Sequence, residues 1–100
     1  VAKILDENPD IDGIFAGDDT MAAICLNVMK QRGLSAPGDI KVVGADGARR
    51  TMTFMPDLQP FANIDRIGEL AAQSIIALIN GEKPESNIKL PVELIEGKTA

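Results

Sequence analysis

Three aspartates and one asparagine stand where this sequence is best placed to bind something. Asp18 and Asp19 follow the run I-D-G-I-F-A at 11–16, Asp46 follows I-K-V-V-G at 40–44, and Asn63 follows L-Q-P-F-A at 58–62. Each preceding run reads as an extended piece, so all four side chains leave from strand exits. Open α/β sheets bind their ligands just outside the carboxyl ends of strands. Carboxylates accept hydrogen bonds and an amide both accepts and donates, a set that suits a small polar ligand with hydroxyls or ring nitrogens. Two carboxylates could instead form a glycosidase pair or a hard-metal site, but no further acid-rich motif accompanies them. Asp46 lies between Gly44 and Gly47, which let a backbone come close. It either contacts a ligand or braces its own loop.

Other chemistries are excluded or unsupported. The chain has no histidine, so a histidine-dependent triad and a histidine-containing zinc site are ruled out within it. It shows no nucleophile–base pair and no glycine-rich phosphate loop. We therefore expect no catalytic residue, no metal ligand and no cofactor. Cys25 sits among Ala23, Ile24 and Leu26 and reads as a buried, inert thiol. A single cysteine forbids an internal disulfide, which favours the cytosol. The net charge is −5, and Arg49-Arg50 is the only adjacent basic pair. A surface of that sign does not hold nucleic acid by phosphate neutralisation. No apolar run approaches the roughly 20 residues of a membrane helix. The 100 residues are 45% hydrophobic and 25% charged, as in a globular chain. They begin at Val1 inside what looks like a helix, so the chain reads as a fragment of something longer.

The elements that must position these residues alternate strand and helix. A helix from Val1 to about Glu7 ends at Asn8-Pro9, since a residue before proline avoids helical angles. A strand at 11–16 follows. Asp18-Asp19-Thr20 then starts a helix that runs to about Arg32, with Gly33 as its stop. Ile40-Lys41-Val42-Val43, with Pro37-Gly38 before it and Gly44 closing it, reads as a central parallel strand buried on both faces. Residues 47–56 have no clean period and read as a loop. The piece at 58–62 contains Pro60, which marks it as an edge or a crossing. The helix at 64–79 carries one stripe of Ile64, Ile67, Ala71, Ser74, Ile75 and Leu78, and Asn80-Gly81 ends it. Residues 88–95 alternate as a half-exposed strand broken by Pro91.

The helix after Asp18 is apolar nearly all round. One stripe must cover the sheet, and the surplus implies either another element or another subunit. On this ground Leu26 and Met29 are expected at a dimer interface.

The motif F-A-G-D-D-T-M-A at 15–22 and the run G-L-S-A-P-G-D-I-K-V-V-G-A-D-G at 33–47 resemble the effector-binding domain of the lactose/galactose repressor family. P-D-L-Q-P-F-A-N at 56–63, a Gly-Glu-Lys turn at 81–83 and L-P-V-E-L-I-E-G-K-T-A at 90–100 continue the resemblance. It implies an α/β fold, with a parallel sheet and flanking helices, of the type I periplasmic-binding-protein-like kind. Of that two-lobed domain this chain would hold the second half. Residues 1–62 and 88–100 would lie mainly in the C-terminal lobe, and residues 63–87 would cross to the N-terminal lobe.

The resemblance also implies a sugar-responsive repressor. It would bind a sugar or purine-like effector between its lobes, act as a cytoplasmic homodimer without any membrane, and reach DNA only through an N-terminal part absent here. Carried over by position, Asp18, Asp46 and Asn63 would touch the ligand. Asp18 stands where asparagine is commoner, which adds charge. The stretch 58–68 looks one residue shorter than the usual pattern, which puts the match at Asn63 in doubt. Periplasmic sugar-binding proteins of transport systems share many of these signals and form the alternative.

Overall fold

The computed structural model describes the backbone of residues 1–100 and every side chain except that of residue 61. Eight elements follow one another. They are α1 (Ala2–Glu7), β1 (Gly13–Phe15), α2 (Asp19–Gln31), β2 (Lys41–Ala45), α3 (Arg49–Phe54), β3 (Gln59–Ala62), α4 (Ile64–Ile79) and β4 (Glu93–Leu94). The four strands form one sheet in the order β1-β2-β3-β4. The first two pairings are parallel, with Ile14 opposite Val42 and Gly44 opposite Pro60, and β4 joins β3 antiparallel. The expected α/β architecture is present.

Burial follows from how few elements cover the sheet. Leu5 of α1 and Ala22, Cys25 and Met29 of α2 pack with Ile40, Val42 and Leu58, and together with Ala16 they form the core. Residues at spacing three and four on α2 share that face. The guanidinium of Arg32, just past α2, ties the helix end to α1, donating to the carbonyl of Ala2 at 3.0 Å and to Asp6 at 3.0 Å. The Asp39 carboxylate closes the turn before β2, accepting from the Ser35 amide and hydroxyl at 2.7 Å each.

Several expectations change. β2 is not buried on both faces. Val42 and Gly44 are buried, Val43 and Ala45 only half, and Lys41 is exposed, because helices pack on one face. Residues 49–54 are not loop but the short helix α3, too short to show a period. β3 is not an edge: it lies between β2 and β4 despite Pro60. The Pro60 carbonyl accepts from the Ile95 amide at 2.9 Å, so its missing N–H falls on the same side, where β4 contributes only two residues. The expected strand at 88–95 reduces to Glu93–Leu94. Met29 has no surface to offer a second subunit: it is 1% exposed, in this chain's own core. Leu26 is half-buried against the same core.

The last residues close the sheet at its other end. The Thr99 hydroxyl donates to the Val42 carbonyl at 2.7 Å and accepts from the Gln59 amide at 3.0 Å, while the Val42 amide donates to the Thr99 carbonyl at 2.6 Å. One side chain thus joins β2 to β3. α4 has the predicted bounds but buries none of its residues.

Candidate functional site

Because β1, β2 and β3 run parallel, their carboxyl ends reach the same edge of the sheet. A cleft of about 420 Å³ opens there, lined by Phe15 from β1, Ala45 and Asp46 from the end of β2, and Ala62 and Asn63 from the end of β3. The start of α4 and the returning chain at Leu90 and Val92 complete it. The structure therefore brings Asp46 and Asn63 together, as their positions at strand exits predicted.

Asp46 is exposed and stands at φ 90°, in the left-handed region. Aspartate enters that region more readily than most residues, but still at a cost. Gly47 beside it is also left-handed, and a Cβ there would lie 2.6 Å from the Ala62 Cβ. Two consecutive left-handed residues form a tight reversal that presents the Asp46 carboxylate to the cleft. Asn63 precedes α4 and its side-chain amide donates to the Pro91 carbonyl, linking the two strands of chain beside the cleft.

Asp18 is placed differently from the expectation. It is the N-cap of α2, where its Oδ1 accepts from the Met21 amide at 2.7 Å, and it is not among the residues lining the cleft. A helix N-terminus needs such an acceptor for its unsatisfied amides, which accounts for the aspartate on local grounds. One residue beyond those named from sequence lines the cleft, Phe15, and Asp19 lies outside its lining. Phe15 is 66% exposed and gives the cleft an aromatic face. Its signal was its place as the last residue of a strand that opens on the same edge as Asp46. Asp19 is 2% exposed, and its Oδ2 accepts from the Ala48 amide at 2.8 Å. Burial pushes its carboxyl above the ordinary range; the Ala48 amide offsets part of that, and the charge of Asp46 adds to it.

Burial likewise pushes the Cys25 thiol up, so at neutral pH it stays protonated and unreactive. Among the described residues no three His, Cys, Asp or Glu side chains gather to hold a metal ion, and no helix is long and apolar enough to cross a membrane. What the cleft offers is one carboxylate, one amide and one aromatic ring on a largely apolar floor. That set suits a small molecule carrying hydroxyls on one side and C–H surface on the other.

Comparison with known proteins agrees with this geometry. The chain is similar to the sucrose operon repressor of Pediococcus pentosaceus, 37% identical over 95 residues, which cover 89% of this chain and 28% of the repressor. It is 30% identical to the ribose import binding protein RbsB of Bacillus subtilis, over 92% of this chain and 30% of that protein. Among solved structures, a LacI family transcriptional regulator from Arthrobacter sp. FB24 in complex with lactose superposes with a TM-score of 0.85 at 30% identity. That match covers 98% of this chain and 38% of the regulator, so the chain spans well under half of each of these relatives. All of residues 1–100 match the family described as periplasmic binding protein-like domain. The chain belongs to the periplasmic binding protein-like domain family, among whose members it has LacI-family repressors as relatives.

Proposed function

We propose that this chain is the effector-sensing part of a sugar-responsive transcriptional repressor. The carrying observation is that Asp46, held in a left-handed turn at a strand exit, shares one cleft with Asn63 and Phe15. In this reading Asp46 accepts two hydroxyl hydrogen bonds from a sugar, Asn63 adds a donor or acceptor, and Phe15 packs on the ring's C–H face. The chemistry of Asp46 and Asn63 also admits a purine-like effector. Asp18 contributes charge at the rim rather than a direct contact.

The exposed stripe on α4 supports a second lobe packed there, with residues 63–87 crossing to it and the effector held between lobes. Closure would then be relayed to a DNA-binding N-terminal part in a cytoplasmic homodimer. Leu26 on α2 is the proposed contribution to the dimer seam, now without Met29. The likeness to a ribose import binding protein favours one other reading, a solute-binding protein of a transport system using the same cleft.

Calorimetry of the full-length protein against sucrose, lactose, D-ribose and purine bases identifies the effector class. On that ligand, Asp46→Ala should weaken affinity about 10- to 100-fold, because hydrogen bonds to a charged group contribute about 1.5–3 kcal/mol. Asp46→Asn should fall between. Asparagine tolerates the left-handed backbone, whereas alanine there adds about 1 kcal/mol of strain, so Asn separates binding from folding more cleanly. Unchanged affinity in both variants, or a loss of stability with affinity per folded molecule intact, would make Asp46 a loop brace.

A further inference from the structure

Asp19 does not line the cleft, yet it is a buried carboxylate packed against the segment that carries Asp46. It is the first residue of α2 and faces the end of β2. Its Oδ2 accepts from the amide of Ala48, two residues after Asp46. Its Oδ1 has no hydrogen-bond partner among the described residues, and it lies 2.7 Å from where a Cβ on Gly44 would stand, two residues before Asp46. The carboxylate is thus wedged against both ends of the segment 44–48.

Such a group is costly for the fold. A buried carboxylate with no cation beside it is unfavourable; the charges of Asp46 and Asp18 add to the cost, which the amides of Ala48 and Gly47 only partly offset. An apolar side chain beside Ala22 and Leu58 would serve packing better. What an apolar side chain cannot do is hold Ala48. Asp46 occupies an uncommon backbone state, and such states persist only where the surroundings over-determine them.

We infer that Asp19 is a positioning residue for the cleft: through Ala48 and Gly44 it fixes the turn that presents Asp46 to the ligand. α2 thereby sets the aim of a carboxylate that belongs to β2. A Cβ on Gly44 would stand 2.7 Å from the Asp19 Oδ1 and 3.3 Å from the Ala22 Cβ, so glycine lets the carboxylate pack this close. The inference rests on the reading of Asp46 as a ligand contact.

A double-mutant cycle separates positioning from general support, since residues acting through one another are not additive. The probe is whichever of sucrose, lactose or D-ribose the parental full-length protein binds, measured by calorimetry. Asp19→Ala should weaken binding about 10-fold in the parental background, yet less than about 2-fold in the Asp46→Ala background. Asp19→Asn, which keeps the shape and one acceptor for Ala48, should recover part of the loss. Where Asp19→Ala does not fold, Asp19→Asn carries the cycle with a smaller loss that again vanishes without Asp46.

Nuclear magnetic resonance needs no ligand. In Asp19→Asn the Ala48 amide should exchange faster and the Asp46 Cα shift should move, while amides in the later turns of α2 keep their protection. Equal losses of affinity in both backgrounds overturn the positioning role alone. Unchanged affinity in Asp46→Ala by itself overturns the contact reading and this inference with it. Unaltered Ala48 exchange and Asp46 shift in Asp19→Asn overturn the inference whatever the sugar does.

Discussion

The aspartates of this chain differ in what their surroundings do to a proton, and stability should record the difference. Asp19 is held above the ordinary carboxylate value by burial, against the Ala48 amide and with the charge of Asp46. A folded-state value above the unfolded one means that the folded chain holds the proton harder. The stability this supplies is complete below about pH 4, the unfolded carboxylate value, and is lost as pH rises through the raised value. Asp39 works the other way. The Ser35 hydroxyl and amide hold it low, so its contribution is present above about pH 4 and lost as pH falls. Asp19→Asn removes only the first of these. Thermal melts of variant and parent across acid to neutral pH should therefore show the difference, variant minus parent, rising with pH. A flat difference would mean that the Asp19 carboxyl pays no cost for its burial. At this scale Asp46 was readable because its strand could be located from a β-branched run and its glycine exit, and Asn63 because it stands between an extended piece and the clearest helix. The adjacent pair Asp18-Asp19 was not. Both suit a helix start, and only the structure makes Asp18 the cap and buries Asp19 against Gly44 and Ala48.

Among the elements, α2 carries the clearest lesson in what apolar periodicity leaves open. Its run from Ala22 to Met29 correctly predicts a helix with more apolar surface than the sheet covers, but composition alone does not say which residues are surplus. The structure buries Cys25 and Met29 and leaves Met21 and Ile24 outward, with Leu26 between. A charge at Leu26 should shift the full-length protein from dimer to monomer in sedimentation while its melting transition survives. The same charge at Met29 should unfold it, because a buried unpaired charge has no compensation. A Leu26→Glu variant that remains dimeric would remove α2 from the seam. The helix α3 and the interior place of β3 escaped the sequence for related reasons. Six residues cannot show a helical period, and the N-cap of α3, Ala48, has no side-chain cap, its amide being held by Asp19 from another element. Pro60 argues against a full strand on its N–H side, but β4 is two residues long and its register lies beyond the proline.

At the scale of the molecule, the shape is extended: the radius of gyration is 17.5 Å, against about 13 Å for a compact domain of this length. The cause is α4, whose 16 residues leave the sheet with no buried side chain. It is attached through the Asn63 link to Pro91 and an exposed pair between Arg49 and Asp65 at 3.8 Å, a pair worth little in water. Ile67, Ile75 and Leu78 are each more than half exposed, and with residues 83–86 and Ile88 the helix lines a mainly apolar groove of about 550 Å³. A patch of that kind associates unless covered. The 100-residue chain alone should sediment as a concentration-dependent mixture, and Ile67→Lys with Ile75→Lys should return it to monomer. A parental chain that stays monomeric at every concentration and melts above about 65 °C, the upper end of the usual mesophile range, would contradict this. The amphipathic stripe was visible in the sequence, and the family resemblance already implied that its covering lobe lies outside this chain; the structure leaves the stripe uncovered.

The Thr99 clasp bears on how such a chain is born. Its two partners, Val42 and Gln59, lie 57 and 40 positions earlier. A ribosome releases residues in order, so β1, β2 and β3 emerge well before the hydroxyl that joins the last two. Through that interval the Val42 carbonyl and the Gln59 amide face water or a chaperone, and the lower seam of the sheet stays open. Contacts this distant along the chain form late. The sheet edge that carries Asp46 can be assembled on the nascent chain, whereas the opposite edge is locked only after synthesis has passed residue 99.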